Sequence, residues 1–122
     1  MMRYESFTRV DSKIAPGVHF TVWKMSYGRR ADLMRRIRDL TRRREFLEAS
    51  ESALDKMDSA LLGTEINNLY VSWGLRSIAG LTLDGLDATP ELLVESGPEE
   101  LVAEALNAVR EQAGLTPSER KN

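Results

Sequence analysis

The 122-residue chain carries 17 Lys and Arg against 19 Asp and Glu side chains, which gives a net charge of −2 at pH 7. Its length predicts one domain around one hydrophobic core. The absence of cysteine from these residues excludes a disulfide framework and thiolate metal ligands. Residues 1–50 hold 12 basic and 6 acidic side chains and residues 51–122 hold 5 and 13, so a balance of +6 is followed by one of −8.

The first residues, Met1 to Glu5, contain no apolar h-region, which predicts that they are not a signal peptide. The longest nearly uncharged stretch, Ile66 to Leu75, is too short to span a bilayer and contains two asparagines. We therefore expect an intracellular, soluble protein with no membrane partner.

Two runs near the start, residues 3–10 and 17–26, show β-branched and aromatic residues in rough alternation, which is typical of strands. In the second run, His19, Thr21 and Trp23 are predicted to point to one side. The dipeptide Pro16-Gly17 between the runs is a strong turn signal. This pattern predicts a β-hairpin with a long connection. A lone hairpin is marginal in water, so it must pack on something or pair with another chain.

A helical period begins at about Arg29 and predicts a first long helix that ends near Ala49. A second helix is predicted from about Ser52 to Trp73, with Gly63 as an unfavourable residue inside it. The short polar joint between the two favours an antiparallel pair. The apolar side chains of the predicted faces are Leu33, Ile37, Leu40 and Leu47 in the first helix and Leu54, Met57, Leu61, Leu62, Ile66, Leu69, Tyr70 and Trp73 in the second.

Turn residues punctuate the chain after Gly74. Leu81-Thr82-Leu83 is predicted to be a short extended piece. Thr89-Pro90-Glu91 combines an N-cap, a first helical residue and a first-turn acid, and it therefore predicts the start of a short helix. A further helix is predicted from Pro98 to Ala113.

These patterns predict an α+β fold that is mainly α, with an N-terminal β-hairpin over residues 1–27 and two long antiparallel helices over 28–74. A turn-rich link and a shorter C-terminal helical region are expected over 75–114. We predict that 1–114 form a single domain and that 115–122 form a mobile tail.

Eight arginines crowd the first predicted helix, and helical spacing places Arg29, Arg36 and Arg43 in one row with Arg35 and Arg42 beside it. Such a stripe is compatible with phosphate binding, with an acidic protein partner, or with a solvated face that the acidic second half of the chain partly neutralises. The negative charge of the whole chain argues against nucleic acid, and so does the lack of aromatic residues among these arginines.

Residues with catalytic potential are few. His19 is the single histidine, and its strand position is typical of a surface or half-buried residue. The carboxylates Asp84, Asp87, Glu91 and Glu95 lie close in sequence, but their spacing is not that of an EF-hand loop. A lone histidine with scattered carboxylates lacks the ligand spacing of a metal site. We therefore predict no catalytic residue, no metal and no cofactor.

Turn and packing landmarks follow one another in a recognisable order from Tyr27 onward. They are Tyr27-Gly28-Arg29-Arg30, Tyr70, Trp73-Gly74-Leu75, Ile78-Ala79-Gly80-Leu81, Asp84-Gly85, Ala88-Thr89-Pro90-Glu91-Leu92-Leu93, Gly97-Pro98-Glu99-Glu100-Leu101 and Leu115-Thr116-Pro117-Ser118-Glu119-Arg120-Lys121-Asn122. This order resembles that of small tail-assembly chaperones of long-tailed bacteriophages and prophages, which are encoded just before the tape-measure gene. The resemblance covers roughly three-quarters of the chain and contains no catalytic signature.

The resemblance implies a non-enzymatic protein that binds the long, hydrophobic tape-measure protein, keeps it soluble and helps tail-tube protein subunits assemble around it. It places the protein in the cytoplasm of the bacterial host and not in the mature virion. It also implies two lengths made by a programmed frameshift, and Lys121-Asn122 is compatible with an A-rich slippery codon pair.

The family pattern identifies no residues that contact the client. From the residues alone, we predict that Arg36, Arg43 and Trp73 bind the partner. Self-association as a homo-oligomer is compatible with the open edges of the predicted hairpin and with apolar area exposed on the predicted helices.

The sequence leaves three alternative functions open. Another small phage tail or head–tail structural protein would be found in purified particles. A nucleic-acid-binding regulator would use the arginine helix. An enzyme would lose its activity on changes at His19 or Asp84.

Overall fold

Five strands and four helices follow one another along residues 1–114, which are the residues that this computed structural model describes. Their bounds are β1 Phe7–Asp11, β2 His19–Trp23, α1 Tyr27–Glu48, α2 Ala53–Gly74, β3 Leu75–Ala79, β4 Thr82–Leu83, β5 Leu86–Asp87, α3 Pro90–Ser96 and α4 Glu99–Gln112. The predicted fold class is confirmed, because an N-terminal hairpin precedes two long helices and further helices follow. The predicted tail, 115–122, lies outside the described residues.

The chain divides into two compact units, which we call the sheet unit and the helical hairpin unit. The sheet unit contains residues 1–26 and the chain from Tyr70 onward, and the helical hairpin unit contains residues 27–69. The helix α2 contributes residues to both units. The single domain predicted over 1–114 stays a prediction.

A three-stranded antiparallel sheet with the order β1-β2-β3 forms the centre of the sheet unit. β1 pairs with β2 from Phe7 opposite Trp23 to Asp11 opposite His19, as predicted for the hairpin. β3 pairs with the other edge of β2 and was not predicted. Its residues follow α2 directly, and the sequence there indicates only packing and turn positions. Pairing with a strand more than 50 residues away leaves no local signal.

The core of the sheet unit lies between one face of this sheet and the last two helices. Phe20 and Val22 alternate with half-buried residues along β2, so one face of the central strand is fully buried. α4 contacts β2, and α3 contacts β3 and β4. The other buried apolar residues of this unit are Val18, Tyr70, Val71, Leu75, Leu83, Ala88, Leu93, Leu101, Ala105, Ala108, Val109 and Ala113.

Glu104 of α4 fixes the long connection between β1 and β2. The hydroxyl of Ser12 donates to Glu104 Oε1 at 2.5 Å, and the backbone N–H of Lys13 donates to Oε2 at 2.8 Å. Charge-assisted bonds of this kind are stronger than neutral ones. The connection is therefore tied to the same helix that contacts the central strand.

Local signals position the short elements: α3 begins where its cap predicts, β4 covers two of the three residues predicted to be extended, and β5 was not predicted. Thr89 caps α3, since its Oγ1 accepts from the backbone N–H of Leu92 at 3.1 Å. Asp84 and Gly85 connect β4 to β5 with φ of 52° and 80°. A two-residue turn with two positive φ values favours Asp-Gly, because most side chains are strained there.

The helical hairpin unit contains α1 and most of α2, joined by residues 49–52. Ser52 directly precedes α2, and its carbonyl accepts the first hydrogen bond of the helix, from the backbone N–H of Lys56 at 3.1 Å. Gly63 of α2 faces Arg44 of α1, since the guanidinium carbon of Arg44 lies 2.9 Å from where a side-chain carbon on Gly63 would stand. The two long helices predicted for this part of the chain are confirmed. In the part of the chain described, no helix combines the length and apolar composition needed to cross a membrane.

Candidate interaction surfaces on the helical hairpin

Large apolar side chains are exposed along the helical hairpin unit. Within α1 only Leu33 is buried, whereas Met34 is 63% exposed and Phe46 is 79% exposed. The apolar face predicted for the second helix is only partly buried: Leu62 and Ile66 are buried in this unit. The exposed members of that face are Leu54, Met57 and Leu61.

A groove of about 630 Å³ runs between the last turns of α1 and the middle of α2. We call it the helix groove. Leu62 is buried at its floor, while Phe46 and Leu61 are exposed beside it. The residues that line the helix groove are Arg42, Arg43, Phe46, Leu47, Asp58, Leu61, Leu62 and Glu65.

The two walls of the helix groove carry opposite charges. The α1 wall presents Arg42 and Arg43, and the α2 wall presents Asp58 and Glu65, all of them exposed. Attraction between exposed charges contributes little to the stability of a fold, because water and salt screen it. The arrangement is better suited to orienting a partner than to holding the two helices together.

A second apolar depression, of about 610 Å³, lies along α1 alone. We call it the arginine face. Met34 is exposed and Ile37 is half-buried within it. Three arginines and one glutamate give this surface a net positive charge. The residues that line it are Ala31, Met34, Arg35, Ile37, Arg38, Thr41, Arg42 and Glu45.

The predicted row of Arg29, Arg36 and Arg43 has three different environments. Arg29 is half-buried, and burial lowers the pKa of its guanidinium, with Asp32 opposing that effect. Arg36 is exposed, and its Nε lies 2.9 Å from Asp32 Oδ2. This ion pair joins two residues one turn apart on the same helix. Arg43 lines the helix groove. The row is therefore not one uniform binding stripe.

The three predicted partner-binding residues belong to different units. Trp73 is half-buried near the end of α2, in the sheet unit. Arg36 and Arg43 belong to the helical hairpin unit. Partner binding by these three residues stays a prediction.

The sequence reasoning missed the helix groove, although two signals pointed to it. Leu61 and Leu62 are adjacent, and so are Phe46 and Leu47. Neighbouring residues on a helix do not face the same side, so only one member of each pair can reach a shared core. The second apolar residue of each pair was therefore a candidate for exposure.

His19 is half-buried on the sheet, as expected from its strand position. Its Nδ1 lies 2.8 Å from Asp11 Oδ1, and Arg9 Nε donates to the same oxygen at 2.9 Å. The hydrogen bonds from Arg9 and then His19 lower the pKa of Asp11 below its usual value. Asp11 and His19 are directly opposite each other in β1 and β2, so the cluster supports strand pairing.

Two of the four carboxylates that lie close in sequence after β3 have local structural roles. Asp84 occupies the turn between β4 and β5, and Glu91 lies in the first turn of α3. A carboxylate in that position interacts favourably with the helix dipole. Across residues 1–114, no three or more metal-ligating side chains are grouped so that they would hold an ion.

Comparison of the chain with protein-family models, with curated proteins and with solved structures found no match.

Proposed function

We propose that this chain is a non-enzymatic assembly chaperone that covers apolar segments of a client polypeptide with its helical hairpin unit. The observation that carries the proposal is the exposure of Met34, 63%, in an apolar depression surrounded by arginines. An isolated exposed apolar residue is ordinary, but Met34 lies in a shallow depression together with Ala31 and Ile37, and this apolar surface is one against which a client side chain can pack.

Charge selects the client of the arginine face. Arg35, Arg38 and Arg42 outnumber Glu45, and ion pairs of Arg35 with Asp32 at 3.8 Å and of Arg38 with Asp39 at 3.5 Å reduce this positive excess without removing it. A client segment that combines apolar and acidic side chains is therefore the best fit. Such charges steer the encounter, and those left at the edge keep the complex in solution. No turnover and no cofactor is needed for this role.

The resemblance to small tail-assembly chaperones supports the tape-measure protein as the client and the tail-tube protein as a further partner. On this proposal, the chain acts in the cytoplasm of a bacterial host during tail assembly and is missing from finished particles. A small tail or head–tail structural protein is the alternative. Mass spectrometry of purified particles separates the two, because only a structural protein is retained in them.

Ion pairs within α1 weigh against the nucleic-acid alternative. Asp32 lies 2.9 Å from Arg36 and 3.8 Å from Arg35, so one carboxylate partly neutralises two arginines. Arg44 is similarly paired, at 3.1 Å from Glu48. A surface that binds phosphates gains affinity from cations that release counterions, and neighbouring carboxylates reduce that gain.

Co-expression with a tape-measure protein encoded beside this gene tests the proposal. We expect the unmodified chain to keep a large fraction of the client soluble. Met34→Asp should reduce that fraction severalfold, because a carboxylate in the arginine face removes the apolar contact and takes up the arginines that attract acidic client residues. Leu86→Asp is the matched control, because Leu86 is equally exposed, at 62%, but lies in the sheet unit.

Two results would contradict the proposal. One is a client that precipitates with the unmodified chain as it does alone. The other is a Met34→Asp variant that keeps as much client soluble as the Leu86→Asp variant does. Circular dichroism of both variants establishes that a loss of client solubility is not a loss of fold.

A further inference from the structure

The helix groove leaves apolar side chains open to solvent between charged walls. Phe46 and Leu61 stand exposed beside the buried Leu62, at 79% and 62%. Leu54 extends the same side of α2, because it precedes Leu61 by two helical turns. A partner that covers these three side chains removes their apolar surface from water, which favours association.

The charges of the helix groove indicate what covers it. Arg42 and Arg43 on α1 are balanced by Asp58 and Glu65 on α2. A fitting partner needs carboxylates opposite α1 and cations opposite α2. A second copy of this chain presents both, because a two-fold axis sets each wall against the opposite wall of the other copy.

We propose that two copies of this chain associate through their helix grooves, with α1 of each copy lying against α2 of the other. Arg43 of each copy then meets the carboxylates of Asp58 and Glu65 in the other, and the contact occurs twice because the interface is symmetric. An axis that stacks α1 on α1 places arginines against arginines and is unfavourable. The two hairpins form a four-helix bundle in which Phe46 and Leu61 are covered.

The arginine face does not suit a second copy. Arg35 and Arg38 give it an excess of positive charge, and a two-fold contact there brings like charges together. Self-association therefore uses the helix groove and leaves the arginine face, which shares Arg42 with the groove, to a different protein. This inference does not depend on the client proposed above, since the charge pattern of the groove is self-complementary without it.

Charge reversal across the interface tests the inference with the full-length chain. Sedimentation equilibrium over a series of concentrations should give a dimer for the unmodified chain. Arg42→Glu combined with Arg43→Glu, and separately Asp58→Arg combined with Glu65→Arg, should each raise the dissociation constant at least about tenfold, because like charges then face each other. An equimolar mixture of the two variants should restore a dimer with one copy of each, as an acidic groove meets a basic one.

The control for the Asp58→Arg, Glu65→Arg variant combines Glu95→Arg with Glu111→Arg. It makes the same change of charge at two exposed residues of α3 and α4 that lie outside the groove. It should dimerise as the unmodified chain does. Phe46→Ser supplies a second test that leaves the charges unaltered. It should also weaken the dimer, because the apolar contact that Phe46 makes with the other copy is lost.

Several results overturn the inference. A chain that sediments as a monomer up to its solubility limit contradicts it directly. So does a dimer that both charge variants and Phe46→Ser leave unchanged, because the contact then lies on another surface. Two monomeric, folded charge variants that fail to associate when mixed would show that the opposite walls do not meet.

Discussion

Gly63 and Gly74 lie in the same helix, but a side chain at each would meet different neighbours. At Gly63 the nearest atoms belong to the guanidinium of Arg44, which is the far end of a flexible side chain. At Gly74 the nearest atom is Cγ1 of Val109, which is buried in the core of the sheet unit. The Arg44 side chain can move away from an added methyl group, whereas Val109 is fixed by the packing around α4.

Replacement by alanine should therefore have opposite effects at these two positions. Gly63→Ala should leave the free energy of unfolding unchanged or raise it by up to about 1 kcal/mol, since alanine favours the helix and Arg44 swings aside. Gly74→Ala should lower it by about 1–3 kcal/mol, because the added methyl group overpacks Val109. Urea unfolding followed by circular dichroism measures both changes. A Gly63→Ala variant less stable than Gly74→Ala would disprove the argument.

The helices of this chain are predictable from its sequence because their signals are local. The cap at Thr89 and the proline after it place α3 without reference to any other element. β3 lacks such a signal, because it forms only when the distant β2 offers an edge. The helix groove is only partly readable from the sequence. The adjacent apolar pairs Phe46-Leu47 and Leu61-Leu62 indicate that one member of each is a candidate for exposure, but which one is exposed depends on how the facing helix lies.

The Thr89 cap allows a quantitative prediction for α3. Thr89→Ala removes the acceptor of the Leu92 backbone N–H and should lower the free energy of unfolding by about 1 kcal/mol. Thr64→Ala is the matched control, because Thr64 is exposed within α2, where alanine is the better helix former. Chemical denaturation of the two variants compares them. Equal stability of the two would show that the cap contributes nothing measurable.

At the scale of the whole molecule, buried apolar residues are concentrated in the sheet unit. Of its large apolar residues, the helical hairpin unit buries Leu33, Leu62 and Ile66 and exposes more than it buries. α4 buries Leu101, Ala105, Ala108 and Val109, whereas α1, although longer, buries Leu33 alone. Elements with few buried contacts open at lower free energy than elements of the core. The binding surfaces proposed above therefore lie on the part of the chain with the least packing of its own.

Hydrogen exchange measured peptide by peptide should reveal this difference. Backbone amides of α1 should exchange faster than those of α4, because opening α1 uncovers fewer buried side chains. If two copies associate through the helix groove, protection of the last turns of α1, around Phe46, should rise with protein concentration. Protection of α4 should stay constant over the same series, which makes α4 the internal reference. Slower exchange in α1 than in α4 at the lowest concentration would mean that α1 is stabilised by contacts other than those that bury Leu33.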